Sequence, residues 1–321
     1  MRVLVTGGAG YIGSHLVDRL LTEGHEVSIL DNLSTGKIQN IEHCLDRVRF
    51  TNGSILDEAL VESEVARAEL VFHLAAAVGV HHIVNAPLEG LITNSRGTEN
   101  VLAACFKHWR RIMVASTSEV YGKTPKVPMS EDDDRVLGPT KIHRWGYSTA
   151  KALDEHLALA YHAHGLPVSI VRYFNSFGPR IDPRGYGSVV AHFISQALAG
   201  DVITVHGDGQ QSRSFTFVDD TVAGTYLVGT EPDAIGRIYN IGNPHETTII
   251  ELAETIRAAV GSSSDIVTTS YESYYGAGFE DTRRRVPDVS RAHKELGWQP
   301  LVSLEDGLER TFQWWKATYG G

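Results

Sequence analysis

Residues 2–13 constrain the fold of this chain more than any other stretch. Arg2-Val-Leu-Val-Thr6 is a short β-branched run that passes directly into Gly7-Gly8-Ala9-Gly10-Tyr11-Ile12-Gly13, after which Ser14-His-Leu-Val-Asp-Arg-Leu-Leu21 has the apolar spacing of a helix. Glycines at 7, 10 and 13 let the chain turn sharply out of a buried strand and bring backbone close to a pyrophosphate, with the free N–H groups and positive dipole end of the helix aimed at it. Asp31 ends the next β-rich run, Glu26-Val-Ser-Ile-Leu-Asp31, where a carboxylate can accept both ribose hydroxyls of an adenosine. Strand, glycine loop, helix and acid at these distances predict a dinucleotide site built from Gly7, Gly10, Tyr11, Ile12, Gly13, Asp31 and Asn32. NAD is favoured over NADP, because a 2′-phosphate would meet the Asp31 charge.

Apolar β-rich runs at 2–6, 26–30, 47–51, 69–74, 111–116 and 167–173 alternate with helical patterns near 11–23, 57–66, 90–108 and 145–164. This alternation predicts an α/β protein of Rossmann type, a doubly wound parallel sheet with helices on both faces. After Phe174 the character changes: Gly and Pro cluster in residues 177–187, and the later helices, expected at 187–199, 219–230, 249–260, 290–296 and 304–317, are shorter. Thr248 and Glu251 have the spacing of a capping box at the start of one of them. The expected organisation is an NAD-binding domain over 1–175 and a smaller C-terminal lobe over 176–321 that binds substrate, interleaved because strands near 203–241 rejoin the sheet.

Charge narrows the partners. With 39 acidic against 29 basic residues, a net charge of −10 argues against nucleic acid or an anionic membrane, which need a basic face. Any phosphate site must therefore be built locally. No apolar run approaches the roughly 18 residues of a membrane span, and a strand that begins at Arg2 leaves no room for a signal peptide, so a cytoplasmic protein is expected. Cys44 and Cys105 lack CxxC spacing and read as buried thiols, and His73, His81 and His82 have no ligand-spaced partner, so no metal is expected.

Tyr147-Ser-Thr-Ala-Lys151 sets a phenol and an ammonium four residues apart, on one face of a predicted helix. A free tyrosine, with a pKa of about 10, is too weak a base at neutral pH; Lys151 and a positive nicotinamide ring would lower it. Upstream, Ala115-Ser116-Thr117-Ser118-Glu119 ends a predicted strand, at the carboxyl edge where open α/β sheets place their chemistry.

With these motifs in view the chain resembles, over essentially its full length, the extended short-chain dehydrogenase/reductases of the nucleotide-sugar epimerase/dehydratase group. The matching positions are Gly7 to Gly13, Leu74-Ala75-Ala76, Asn94-Ser-Arg-Gly-Thr98, Tyr147 with Lys151, Arg172-Tyr-Phe-Asn175, Gln211-Ser-Arg213 and Arg285-Val-Pro-Asp288. The resemblance implies NAD as cofactor, with Leu74, Ala75, Ala76, Asn94, Tyr147 and Lys151 added to its site, and a homodimer through the long helices near 90–108 and 145–164. It further implies that Thr117 hydrogen-bonds the sugar O4, Tyr147 removes its proton, and Ser118, Asn175, Arg184, Arg213 and Arg285 hold a UDP-sugar. Ser54 departs from the pattern: the family usually carries an Asp there, beside the adenine.

Within the group, Thr117-Ser118-Glu119, Arg144-Trp-Gly-Tyr147 and the segments Ser273-Tyr-Tyr-Gly276 and Gly278-Phe-Glu-Asp281 are similar to UDP-glucuronic acid decarboxylases, whereas 4,6-dehydratases carry an adjacent Asp-Glu pair. That resemblance implies oxidation at C4 to a ketone β to the C6 carboxylate, followed by loss of CO₂, giving UDP-4-keto-pentose or UDP-xylose. Glu119 and Arg285 would act at the carboxylate end beside Thr117, Tyr147 and Lys151. Two alternatives stay open, a UDP-glucuronate or UDP-glucose 4-epimerase and a non-catalytic dinucleotide sensor. At the level of residues, Glu119 could instead bond strand-end amides and Arg285 could bind only diphosphate.

Overall fold

Seven parallel strands form the centre of the molecule. The structure, a computed structural model, describes residues 1–79, 86–182, 188–270 and 281–319. The strands are β1 (Arg2–Thr6), β2 (Glu26–Asp31), β3 (Val48–Asn52), β4 (Leu70–His73), β5 (Arg111–Thr117), β6 (Val168–Tyr173) and β11 (Ile238–Ile241), in the spatial order β11-β6-β5-β4-β1-β2-β3. Both faces are buried, and the pleat shows it residue by residue. Val3, Val5, Leu70, Phe72 and Met113 enter one core; Leu4, Val71, Ile112 and Val114 enter the other.

The second core is closed by α2 (Glu58–Arg67), α3 (Pro87–His108) and α4 (Arg144–Ala163), the first by α1 (Tyr11–Thr22) and α6 (Val218–Thr230). Between α4 and α6 lies α5 (Val189–Ala199), and the chain ends with α7 (Ile249–Ala259), α8 (Ser290–Leu296) and α9 (Leu304–Tyr319). The Thr248/Glu251 capping box is formed at the start of α7. None of the described helices is long and apolar enough to cross a membrane. Cys44 and Cys105 are buried free thiols.

The C-terminal part is divided between two places. Residues 218–241 return to the sheet: α6 packs beside α1, and β11 pairs in parallel with β6. The rest builds three small sheets, β7 (Ser176–Phe177) with β10 (Thr216–Phe217), β8 (Ile203–His206) with β13 (Ile266–Thr269), and β9 (Ser212–Ser214) between β12 (Glu246–Thr248) and β14 (Arg284–Arg285). Strand order reverses between β1 and β4, so a crevice opens beyond their carboxyl ends.

Candidate active site

The glycine loop occupies that crevice. Gly7 has a φ of +72°, and a Cβ on Gly13 would stand 2.1 Å from the Gly7 carbonyl oxygen, so only glycine lets α1 start this close to β1. No side chain caps the N-terminus of α1, which leaves its first N–H groups to the groove. The groove has a volume of about 340 Å³, and its walls include Gly7, Gly10, Tyr11, Ile12, Gly13, Asp31, Asn32, Leu74, Ala75, Ala76, Tyr147 and Lys151. Asp31 Oδ2 accepts the Ala9 N–H at 2.9 Å and Oδ1 the Leu33 N–H at 2.8 Å, which fixes the carboxylate at the groove and leaves each oxygen a second lone pair. Burial raises its pKa, and these two N–H groups offset part of the rise. Uncapped helix, glycine cradle and acid together fit the pyrophosphate and ribose of NAD.

Asn94 stands behind this wall rather than in it. Its Oδ1 accepts the Ala77 N–H at 2.7 Å and its Nδ2 donates to the Ala77 carbonyl at 3.0 Å, so it shapes the lining from outside. Ser54 uses its hydroxyl on the Leu56 N–H, while Gly53 and Ile55 face the groove on either side of it.

Where β5 ends, Thr117 Oγ1 accepts the Glu119 N–H at 3.2 Å and starts a short 3₁₀ turn, Ser118–Tyr121, in which Ser118 is buried. Gly122 follows at a φ of +66°, where a Cβ would be 2.1 Å from the Val136 carbonyl oxygen. This turn presents Thr117 and Glu119 to Tyr147 on α4. Burial pushes the Tyr147 phenol far above its ordinary pKa, and the Glu119 and Asp154 carboxylates push it further, against a hydrogen bond from Thr117 and the Arg144 charge. The i,i+4 spacing set the Lys151 ammonium beside the phenol; in the structure its hydrogen bond goes instead to Asp154 Oδ2, at 2.8 Å.

Beyond Glu119 lies a cluster of charges. β14 pairs with β9 so that Arg285 is opposite Arg213, and Met129 holds the strand in place by bonding the Val286 carbonyl and the Asp288 N–H, both at 2.8 Å. Arg144, at the start of α4, pairs with one oxygen of Glu119, and Arg285 approaches the other at 3.5 Å. Asp281 joins all three arginines, with Arg213 at 2.7 Å, Arg144 at 3.6 Å and Arg285 at 4.0 Å. The arginines are only 5–6% exposed. Burial raises the Glu119 carboxyl, but Arg144 and Arg285 outweigh it and hold it below its ordinary value; Asp281 is likewise held down by Arg213, Arg144 and Arg285. Burial pulls Arg285 down to about 10. Its Nε has no hydrogen bond among the described residues.

The structure thus brings Thr117, Glu119, Tyr147, Arg213 and Arg285 together and adds Arg144 and Asp281, which the sequence motifs contained without marking as functional. Asn175 lies half-buried in the turn between β6 and β7, its carbonyl accepting the Thr216 N–H at 2.8 Å. Arg184, His81, His82 and the segments 273–276 and 278–280 lie outside the described residues.

The profile of the family described as GDP-mannose 4,6 dehydratase matches residues 4–311. The chain is 44% identical over 316 residues to a UDP-N-acetyl-alpha-D-glucosaminuronate decarboxylase of Bacillus cytotoxicus, with 98% of each covered. It is 37% identical to UDP-glucuronic acid decarboxylase 1 of Xenopus tropicalis, over 98% of this chain and 72% of that one. Among solved structures it superposes on a UDP-glucuronic acid 4-epimerase from Bacillus cereus, in complex with UDP-glucuronic acid and NAD, with a TM-score of 0.88, 30% identity and coverage of 99% and 100%.

Proposed function

This chain belongs to the GDP-mannose 4,6 dehydratase family, among the epimerases and dehydratases of nucleotide sugars, and from that premise we propose that it is an NAD-dependent UDP-glucuronic acid decarboxylase. The observation that carries the proposal is the buried cluster at Glu119, next to Tyr147: among the described residues three guanidinium groups, of Arg144, Arg213 and Arg285, meet two carboxylates, of Glu119 and Asp281. A UDP-hexose offers that cluster its diphosphate alone. A UDP-uronate offers it a C6 carboxylate as well.

Gly7, Gly10, Gly13 and Asp31 would hold NAD, which when bound would supply reversible oxidation of the sugar C4 hydroxyl. Tyr147 takes the O4 proton, and Thr117 donates to O4 as charge builds on it. The 4-ketone lies β to the carboxylate, so the electron pair of the C5–C6 bond flows into the ketone as CO₂ departs. Thr117 and Tyr147 stabilise the enolate oxygen. Arg285 and Arg144 orient the carboxylate beforehand, in a site that excludes water. When the substrate carboxylate replaces Glu119 on Arg285, the Glu119 pKa rises, which equips it to deliver a proton to C5. Reduction at C4 before release gives UDP-xylose; release without it gives UDP-4-keto-pentose.

The Bacillus cytotoxicus relative supports a second substrate, the 2-acetamido analogue of the same uronate. Incubating the NAD-loaded protein with each UDP-uronate and weighing the products decides: a product lighter by CO₂ is expected from UDP-glucuronate. UDP-galacturonate at unchanged mass would replace the proposal with a 4-epimerase, and CO₂ loss from the acetamido sugar alone would move the specificity. The same proposal places the enzyme in the cytoplasm as a homodimer that covers Leu88, Leu91 and Leu153, which are 72%, 40% and 46% exposed on the adjoining helices α3 and α4. A Leu153→Glu variant that still scatters light as a dimer would exclude that face.

A further inference from the structure

A buried polar chain runs behind the catalytic helix. Lys151 Nζ donates to Asp154 Oδ2 at 2.8 Å. Asp154 Oδ1 is buried with no hydrogen bond of full bonding geometry among the described residues, and the Thr98 hydroxyl of α3 is the donor facing the carboxylate. Thr98 Oγ1 lies 3.1 Å from His73 Nε2, and His73 Nδ1 lies 2.8 Å from Thr6 Oγ1, which also accepts the Ala75 N–H of the cofactor groove at 3.2 Å. None of Thr6, His73, Thr98, Lys151 and Asp154 is more than 2% exposed.

The chemistry of the groups gives the chain a direction. A carboxylate only accepts, so Thr98 turns its proton to Asp154 and receives Nε2–H of His73; Nδ1 then accepts from the Thr6 hydroxyl. His73 needs to be neutral for this, and burial, helped by the Lys151 charge, lowers its pKa to about 3. Packing alone does not call for such a chain, since apolar side chains of equal volume commonly replace buried ion pairs without loss of stability. The next carboxylate along α4 shows the contrast: Glu155 is closed off by Arg172, at 2.7 and 2.9 Å, and by Ser116. Asp154 engages the Lys151 ammonium, which lines the cofactor groove.

We infer that Asp154, oriented by Thr98 and His73, is a positioning residue that draws the Lys151 ammonium off the Tyr147 phenol and so sets the pH at which that phenol acts as a base. The charged groups acting on Tyr147 are Glu119 from the turn after β5 and Arg144 and Asp154 from its own helix, and Lys151, one turn further along, lines the same groove. Those facing Asp154 are Lys151 and Glu155 of α4 and, behind Thr98, His73 of β4, with the Glu155 charge taken up by Arg172 of β6. Removing the Asp154 charge deletes one repulsion of the phenolate and frees the ammonium to attract it. Both changes lower the pH at which the phenol ionises.

The inference rests on Tyr147 being the base of the proposed reaction, so its test reads the phenol itself and needs no sugar. Near-ultraviolet phenolate absorbance of the NAD-loaded protein is titrated with Tyr147→Phe as the blank, in the wild type and in Asp154→Asn, the same blank being made in each background. The Asn variant is expected to titrate about one pH unit or more lower. An unchanged or higher midpoint overturns the inference, because a structural role would lower stability without moving it. Should Asp154→Asn not fold, Asp154→Ala removes the same charge and is read the same way. Failure of the decarboxylase assignment would appear in the product masses and leave this titration as it stands.

Discussion

Arg285→Ala is the perturbation that tests the charge cluster most directly, because it changes the net charge of the five-residue group from +1 to zero while Arg144 and Arg213 remain to hold Glu119 and Asp281. A carboxylate seated about 4 Å from one uncompensated guanidinium, at an effective dielectric constant of about 20, gains about 4 kcal/mol. Here the surplus is shared among three arginines, and half that figure, about 2 kcal/mol, is the lower expectation. Converted at 1.4 kcal/mol per decade, Arg285→Ala should reduce the preference for UDP-glucuronate over UDP-glucose by about 30-fold to about 1000-fold. Glu119→Gln moves the cluster the other way, to +2, and should increase that preference. Calorimetric titration of the NAD-loaded variants with both nucleotides gives the ratio directly, and the shared UDP moiety cancels. If Arg285→Ala weakens both ligands equally, Arg285 grips the diphosphate and the carboxylate assignment fails; a lowered preference in Glu119→Gln would refute the charge count itself.

Three further expectations follow from the site. Tyr147→Phe should keep the fold and NAD binding and lose turnover by several orders of magnitude, since it removes the proton acceptor for O4 at nearly constant volume; near-wild-type turnover on UDP-glucuronate would remove Tyr147 from its role. Wild-type protein should bind NAD far more tightly than NADP, and Asp31→Asn, which retains one acceptor for the glycine-loop amide, should narrow the gap; equal calorimetric affinities in the wild type would contradict the ribose assignment. His73 is lowered to about 3 in the fold against an ordinary value of 6.5, so its contribution to stability is complete above that value and is lost as pH falls toward the folded pKa. At pH 5 the loss is about 2 kcal/mol, and His15, lowered to about 4, adds to it. His73→Gln should therefore melt lower at pH 7 yet lose less between pH 7 and pH 5 than the wild type does; equal losses would mean that His73 titrates normally.

What could be read from the sequence and what could not divide along a physical line. The glycine loop, the continuous apolar β-rich runs of β1 to β6, the 3.6-residue spacing of the helices and the Thr248/Glu251 cap are local signals, and each element forms within a few residues of its expected place. Tyr147 and Lys151 are one helical turn apart and were visible for the same reason. The charge cluster is not local: Asp281 meets Arg144 and Arg213 across long stretches of chain, and Arg285 is placed by a strand of two residues, Arg284–Arg285, too short to carry any period. Asp154 was hidden differently. A carboxylate three residues after a lysine reads as an ordinary solvated pair on one helix face, and only the packing of α3 and β4 over that face turns it into a buried ion pair. Asn94 is a polar residue in a cofactor motif whose side chain hydrogen-bonds both polar groups of the Ala77 backbone. Periodicity and motif therefore marked the residues of the proposed site, while the charges around Tyr147 emerged from contacts between elements that no local pattern announces.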